Sequence, residues 1–380
     1  MKKRNILTIG LLILMILLLC FPNLCLHAAQ NGLLLWFNKV LPSMLPFMIF
    51  INILVPLNGL QGFISHCTPL AQRLWHLPGE SFFAFLMGVL AGYPMGAKVV
   101  KNLYCEHKLS LNEAERTLCF CNNCGPLFII GTVGTAMLSK TSLGYFLLLI
   151  HLLSAFIMSL LLTHNLPIST STRVSDSTLA PPVSFFRLLN LSVINAMDTI
   201  VCVGGYIILF SVLLALMTQT PFAQFLLGHL TSTSEGYLMA TGVLSSVLEL
   251  SNGAHALSKL SLSTYSLACL SAAIGFGGIC VYFQSLFVLE DTPFNTKPFF
   301  IAKCIQGVLS FALTLLLHPL YLIFTSTKGI LYTLNTYNHY FSFNCPCFIL
   351  LFLLCFWATY QFFPSNQLRQ SFYKCKKKPN

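Results

Sequence analysis

Charge is what this sequence has least of. Of its 380 residues only 8% are Asp, Glu, Lys or Arg, and just ten are acidic. A soluble domain covers its surface with about 25% charged residues, so a water-bathed globule of this length is excluded. The scarcity of acids also narrows the chemistry. There is no H-E-x-x-H, no G-x-S-x-G and no phosphate-cradling loop, and no apolar stretch carries paired carboxylates. No enzyme activity and no cofactor are expected, and ATP is not expected to act on this chain directly.

What the chain has instead is apolar length: 56% of its residues are hydrophobic. With lipid as solvent, runs of about 20 apolar residues are spanning helices. They are expected near 6–26, 33–57, 119–138, 143–163, 190–217, 264–288, 301–324 and 346–363. The basic start and the apolar run to Leu19 also resemble a signal peptide, but the run is long enough to span uncleaved, and a retained first helix is favoured. The net charge of +11 comes largely from clusters at segment ends and tails, such as Lys2-Lys3-Arg4 and Lys376-Lys377-Lys378. Cytoplasmic retention explains them without nucleic acid, which is not an expected partner. The fifteen cysteines are scattered through apolar stretches, as small hydrophobes are. Cys119, Cys121 and Cys124 form the one dense patch. Without a second ligand pair nearby, packing is favoured there over a metal site.

Two further apolar segments, 81–104 and 238–260, are irregular. Gly92-Tyr93-Pro94-Met95-Gly96 breaks the first, and Ser251-Asn252-Gly253 is expected to break the second. Charge decides how they lie. Apart from the terminal clusters there are thirteen Lys/Arg; if all ten segments span, four fall inside and nine outside. If the irregular segments are re-entrant, the split reverses to nine inside and four outside. The positive-inside rule therefore prefers eight spans plus two re-entrant broken hairpins, with both termini cytoplasmic. Broken backbone at membrane depth must lie against protein or a wet cavity, because lipid cannot satisfy its polar groups.

Helix, broken hairpin and Gly-rich helix occur in that order twice, with inverted orientation. The fold expected is thus an all-α polytopic membrane protein built as an inverted repeat. It divides into an N-terminal helix (1–32), a first repeat (33–163), a cytoplasmic linker (164–189), a second repeat (190–324) and an extra C-terminal helix with a basic tail (325–380). Paired breaks in corresponding positions are where such proteins place a solute site. The candidate binding set is Gly92, Tyr93, Pro94, Gly96 and Lys98 in the first hairpin, with Asn122, Asn123, Gly125 and Pro126 in the helix after it. The second hairpin adds Glu249, Asn252 and Gly253.

Each residue has two readings. Glu249 either meets a solute hydroxyl, a cation or a proton, or is solvated near the outer surface. Asn122 and Asn123 either contact a polar ligand or satisfy the freed backbone, while Pro126 starts a new half-helix. Tyr93 stacks on a base or anchors at the interface, and Lys98 binds an anion or snorkels. His255 is read as a packed residue.

The stretches Gly92-Tyr93-Pro94-Met95-Gly96-Ala97-Lys98 and Asn122-Asn123-Cys124-Gly125-Pro126-Leu127-Phe128-Ile129-Ile130-Gly131-Thr132-Val133-Gly134 resemble the sporulation integral membrane protein family of the YlbJ type, from about residue 35 to 325. The pattern from Glu249 to Gly253 agrees, whereas Cys124 and His255 depart from it. The resemblance implies a nucleoside-recognition Gate-type membrane domain, similar to parts of nucleoside transporters and ferrous-iron permeases. It also implies a role in endospore formation, notably of the cortex. The function expected is transport of a small polar solute, nucleoside-like or otherwise; the alternative is a membrane scaffold or assembly factor without transport. Expected partners are the lipid bilayer, the solute, and either further copies of the chain or other sporulation membrane proteins.

Overall fold

The computed structural model describes residues 2–54, 60–163, 184–221 and 233–325, together with 224, 225 and 228. All regular structure among them is helical. A helix satisfies its own backbone hydrogen bonds, which a bilayer requires of any lipid-facing segment. The chain is an all-α polytopic membrane protein.

Helix α1 (Lys2–Cys20) leaves its apolar side chains exposed, with Leu19 80% accessible, as a lipid-facing helix does. Pro22 then opens α2 (Pro22–Leu54), which runs 33 residues through a π-helical turn at Trp36–Val40. Helices α3 (Leu60–Trp75) and α4 (Gly79–Ala91) are bent by 93° about the short break between them. After them come α5 (Met95–Cys105), α6 (Leu111–Cys121), the π-helical α7 (Leu127–Met137) and α8 (Thr141–Thr163). Beyond residue 184 lie α9 (Phe185–Gln219), α10 (Ser234–Leu248), α11 (Leu250–Ser258), α12 (Thr264–Phe276), α13 (Gly278–Val288) and α14 (Lys297–Thr325).

Two antiparallel pairs frame the core. Helix α9 lies against α2: Trp36 Nε1 donates to the Ile200 carbonyl at 3.0 Å, and Asn52 Nδ2 to the Ser192 carbonyl at 3.2 Å. Gly204 permits this approach, since a Cβ there would meet the Trp36 ring at 2.6 Å. Helix α14 lies against α8, with Ser310 Oγ donating to Ser154 Oγ at 2.8 Å and Tyr321 O–H to Ser142 Oγ at 2.9 Å. Between these pairs sit the shorter helices.

The span count differs from expectation in instructive ways. Five described helices are long and apolar enough to cross a membrane, or six with the bent pair taken as one. The expected spans 6–26 and 33–57 are repartitioned at Pro22, whose ring suits the first turn of a helix but not its interior. The expected span 119–138 is two half-helices, α6 and α7, separated at Asn122–Pro126. The span at 264–288 is interrupted at Gly277. Helix 346–363 and the C-terminal segment lie outside the described residues, as does the linker up to 183; from Phe185 the linker's end is already helical. In the second hairpin the break falls at Glu249 and not at Ser251-Asn252-Gly253, which form the first turn of α11. A carboxylate supplies acceptors to a helix start, whereas the small residues serve close packing once the helix is under way.

Candidate functional site

Four interruptions of helical backbone meet in the interior. The first separates α4 from α5 at Gly92–Pro94, with a cis Tyr93–Pro94 bond and Gly92 at φ 82°. The second is Asn122–Pro126, the third Glu249, and the fourth Gly277, where Gly277 and Gly278 take φ of 84° and 85°.

Glycines bring the breaks together. A Cβ on Gly88 or Gly96 would collide with the Cys121 carbonyl, so these two let the first hairpin lie directly on the backbone of α6. A Cβ on Gly92 would stand 2.9 Å from the Gly125 nitrogen. The Tyr93 ring packs over Gly277 and its hydroxyl donates to the Ile274 carbonyl at 3.2 Å. Gly278 faces the Ser246 carbonyl and the Leu250 nitrogen at the third break. Gly253 similarly seats α11 on the backbone of α10 at Ser246.

Each break must find partners for its freed backbone groups. Asn122 and Asn123, both fully buried, do this in the second. Asn122 Oδ1 accepts from Ala97 N–H at 3.4 Å, and its Nδ2 donates to Ser285 Oγ at 2.9 Å. Asn123 Nδ2 donates to the Phe120 carbonyl at 2.7 Å, while its Oδ1 accepts from Gln306 Nε2 at 3.1 Å. The N–H of Cys124 donates to His151 Nε2 at 3.0 Å.

Two buried ionisable groups complete the arrangement. Lys303 of α14 is 3% exposed; its Nζ donates to the Asn122 carbonyl at 2.9 Å and to Gln306 Oε1 at 2.5 Å, and lies 5.1 Å from the centre of the Tyr93 ring. Glu249 is likewise 3% exposed, and its two carboxylate oxygens accept from Ser251 N–H at 2.9 Å and Asn252 N–H at 2.7 Å. Among the described residues neither forms an ion pair. Helix ends stand in for counter-charges. The ammonium sits at the C-terminal end of α6, whose cap is Asn122, and the carboxylate at the N-terminal end of α11. Those are the negative and positive ends of the respective helix dipoles.

Between the breaks lies a cavity of about 70 Å³. Its polar wall comes from Glu249, Ser251, Tyr93, Cys124, Ser43 and Gln284, and its apolar wall from α2 and α9, through Met44, Val203 and Ile207. Gly92, Tyr93, Gly125 and Glu249, all anticipated from sequence, are brought to this one cavity from three separate breaks. Pro94 caps α5 and Pro126 precedes α7, so both start half-helices. Gly96 and Gly253 serve packing and do not line it. Asn122 and Asn123 have their amides engaged within the protein, with backbone groups of Ala97 and Phe120 and with the side chains of Ser285 and Gln306. Lys98 reaches α9, donating to the Asn195 carbonyl at 3.1 Å and Thr199 Oγ1 at 2.8 Å. Asn252 donates to Ser211 Oγ at 2.9 Å and lines a different cavity. His255 is exposed.

Sequence reasoning misses Lys303, Gln306, Gln284 and His151. A span read from residue 301 puts Lys303 at its rim, where a lysine attracts no notice. The missing signal is periodicity: Lys303, Gln306, Ser310 and Thr314 follow one face of an apolar helix, and all four are buried. The thiols of Cys119 and Cys121 turn back to the carbonyls of Glu115 and Leu118, and Cys124 alone of the three faces the cavity.

No family model matches the chain, and no solved structure matches it. Over 324 residues it is 30% identical to sporulation integral membrane protein YlbJ of Bacillus subtilis (strain 168), an alignment covering 79% of each chain.

Proposed function

The chain belongs to the family of sporulation integral membrane protein YlbJ, and we propose that it serves endospore formation by passing a small polar solute across a membrane at the cavity between its helix breaks. The observation that carries this reading is the convergence of broken backbone on a buried carboxylate with, among the described residues, no cation beside it. A purely structural membrane bundle gains nothing from four interrupted helices and a desolvated Glu249, each of which costs stability. In transporters built from repeats, half-helix ends and unwound backbone form the solute and ion sites.

The order of elements supports an inverted repeat. Hairpin α4–α5 precedes the interrupted α6–α7, and hairpin α10–α11 precedes the interrupted α12–α13. With both termini cytoplasmic, as the lysine and arginine distribution favours, the two hairpins enter from opposite faces.

The cavity's size speaks to its state. Its 70 Å³ is far below the 300–1,000 Å³ of typical small-molecule sites, so in this conformation it has room only for a very small solute. The same narrowness, with the Asn122 and Asn123 amides engaged internally, favours the second reading: a scaffold of the spore envelope that keeps a transporter-like fold. Flux decides between them. Purified protein in proteoliposomes is expected to take up at least one member of a panel of nucleosides, amines and small metabolites, and Glu249→Gln to abolish that uptake. Absence of flux for every compound, or flux indifferent to Glu249→Gln, refutes the proposed role of the cavity.

A further inference from the structure

A second cavity, of about 320 Å³, lies among α2, α9, α10 and α11. Its walls include Asn31, Ser211, Thr218, Thr241, Ser245 and Asn252, and among the described residues no Asp, Glu, Lys or Arg lines it. It adjoins the cavity at Glu249. Ile207 lines the inner cavity and Ser211, one turn further along α9, lines the outer. Likewise Ser251 faces the inner and Asn252 the outer cavity, and the 2.9 Å hydrogen bond from Asn252 Nδ2 to Ser211 Oγ stands between them. The outer cavity is open where Asn31 and Gln219 are exposed and closes down on the buried Ser211 and Ser245.

Its hydrogen-bonding character follows from where the wall protons go. Thr218 Oγ1 donates to the Leu214 carbonyl at 2.8 Å, Thr241 Oγ1 to the Tyr237 carbonyl at 3.0 Å, and Ser245 Oγ to the Thr241 carbonyl at 2.6 Å. A hydroxyl has one proton and two lone pairs, so each of these presents acceptors to the cavity. Asn252 spends one of its two amide N–H groups on Ser211 and keeps the other and its carbonyl oxygen, while the amides of Asn31, Gln219 and Gln224 and the Tyr237 hydroxyl both donate and accept. A chamber with hydrogen-bonding groups of both kinds and no charged group among the described residues offers partners to N–H and O–H groups, and the carboxylate beyond it repels anions.

We propose that this outer chamber is a solute-binding vestibule for small, hydrogen-bonding, non-anionic molecules, polyols or ammonium compounds, and that parting of Asn252 from Ser211 admits them to Glu249. The inference deepens the transport reading and rests on it for the second step only.

The test is calorimetric titration of the full chain in nanodiscs with ribose, methylammonium and inorganic phosphate. Three forms are compared: the unaltered chain, Thr241→Val/Ser245→Ala, and Glu249→Gln, each checked for folding by thermal melting. Ribose or methylammonium is expected to bind and phosphate not to. Thr241→Val/Ser245→Ala should weaken binding roughly fivefold or more, the effect of losing one hydrogen bond or two, with Glu249→Gln still binding at the vestibule. Phosphate binding as tightly as the donors overturns the proposal, as does an unaffected Thr241→Val/Ser245→Ala form or the absence of binding to folded protein. Loss confined to Glu249→Gln also overturns it while leaving the inner-cavity reading intact. Vestibule binding with no effect of Glu249→Gln on flux has the reverse meaning.

Discussion

Replacing Glu249 by Gln separates stability from function at the point where the two are most entangled. The carboxylate accepts two backbone N–H groups, one on each oxygen, at 2.9 and 2.7 Å. Glutamine keeps one acceptor oxygen of similar shape and loses the other. The lost charge-assisted hydrogen bond is worth about 1.5–3 kcal/mol. The lost interaction with the N-terminus of α11 adds about 0.3–2 kcal/mol. Against this, the variant no longer holds a charge at membrane depth, which relieves about 2.5–3.5 kcal/mol on the insertion scale. The opposing contributions are of similar size, so the net change is expected to be within ~2 kcal/mol of zero. Melting of the variant in nanodiscs should then shift by no more than about 5 °C, on the size scaling of unfolding entropy. Uptake of solute in proteoliposomes should nevertheless vanish. A melting temperature far below the parent would show that the carboxylate is chiefly a helix cap. Unchanged uptake would remove the acid from the transport reading altogether.

Other expectations follow from the same geometry. Lys303→Met leaves the Asn122 carbonyl and Gln306 Oε1 without their shared donor, at about 1–3 kcal/mol for each acceptor. Gln306→Leu also frees Asn123 Oδ1, so the coupling is read from a double-mutant cycle on melting: the double variant should lose less than the two single losses added, and simple additivity would refute the coupling. Gly88→Ala and Gly96→Ala force a Cβ onto the Cys121 carbonyl and should cost about 1–3 kcal/mol each, read as loss of monodisperse protein on size-exclusion chromatography. Gly205→Ala, with open space around it, is the control and should behave as the parent. His151→Leu deprives the Cys124 N–H of its acceptor at about 1–3 kcal/mol. Faster hydrogen exchange at residues 122–126 is the expected readout, and unchanged protection there would show that His151 is not the partner that matters.

The sequence alone determined the solvent, the class and the positions of two of the four breaks, Gly92–Pro94 and Asn122–Pro126. An 8% charged chain with long apolar runs has one compatible environment, and Gly-Pro-rich interruptions in such runs cannot face lipid. It also singled out Glu249, since a carboxylate in an apolar stretch is conspicuous by its cost, while leaving open whether it meets a solute or is solvated near the outer surface. The exact break beside it was displaced by two residues, because small residues read alike whether they end a helix or pack one, as Gly253 does on Ser246. Tertiary structure decided what the asparagines do and that Lys303 is a core residue. Asn122 offers the same donors and acceptors to a ligand or to Ala97 and Ser285, and nothing local in the chain distinguishes these partners. Lys303 lies 181 residues from the carbonyl it meets. A cation near a span's start belongs equally to the membrane surface or to the interior, until the packing of α14 against α6 and α12 closes over it.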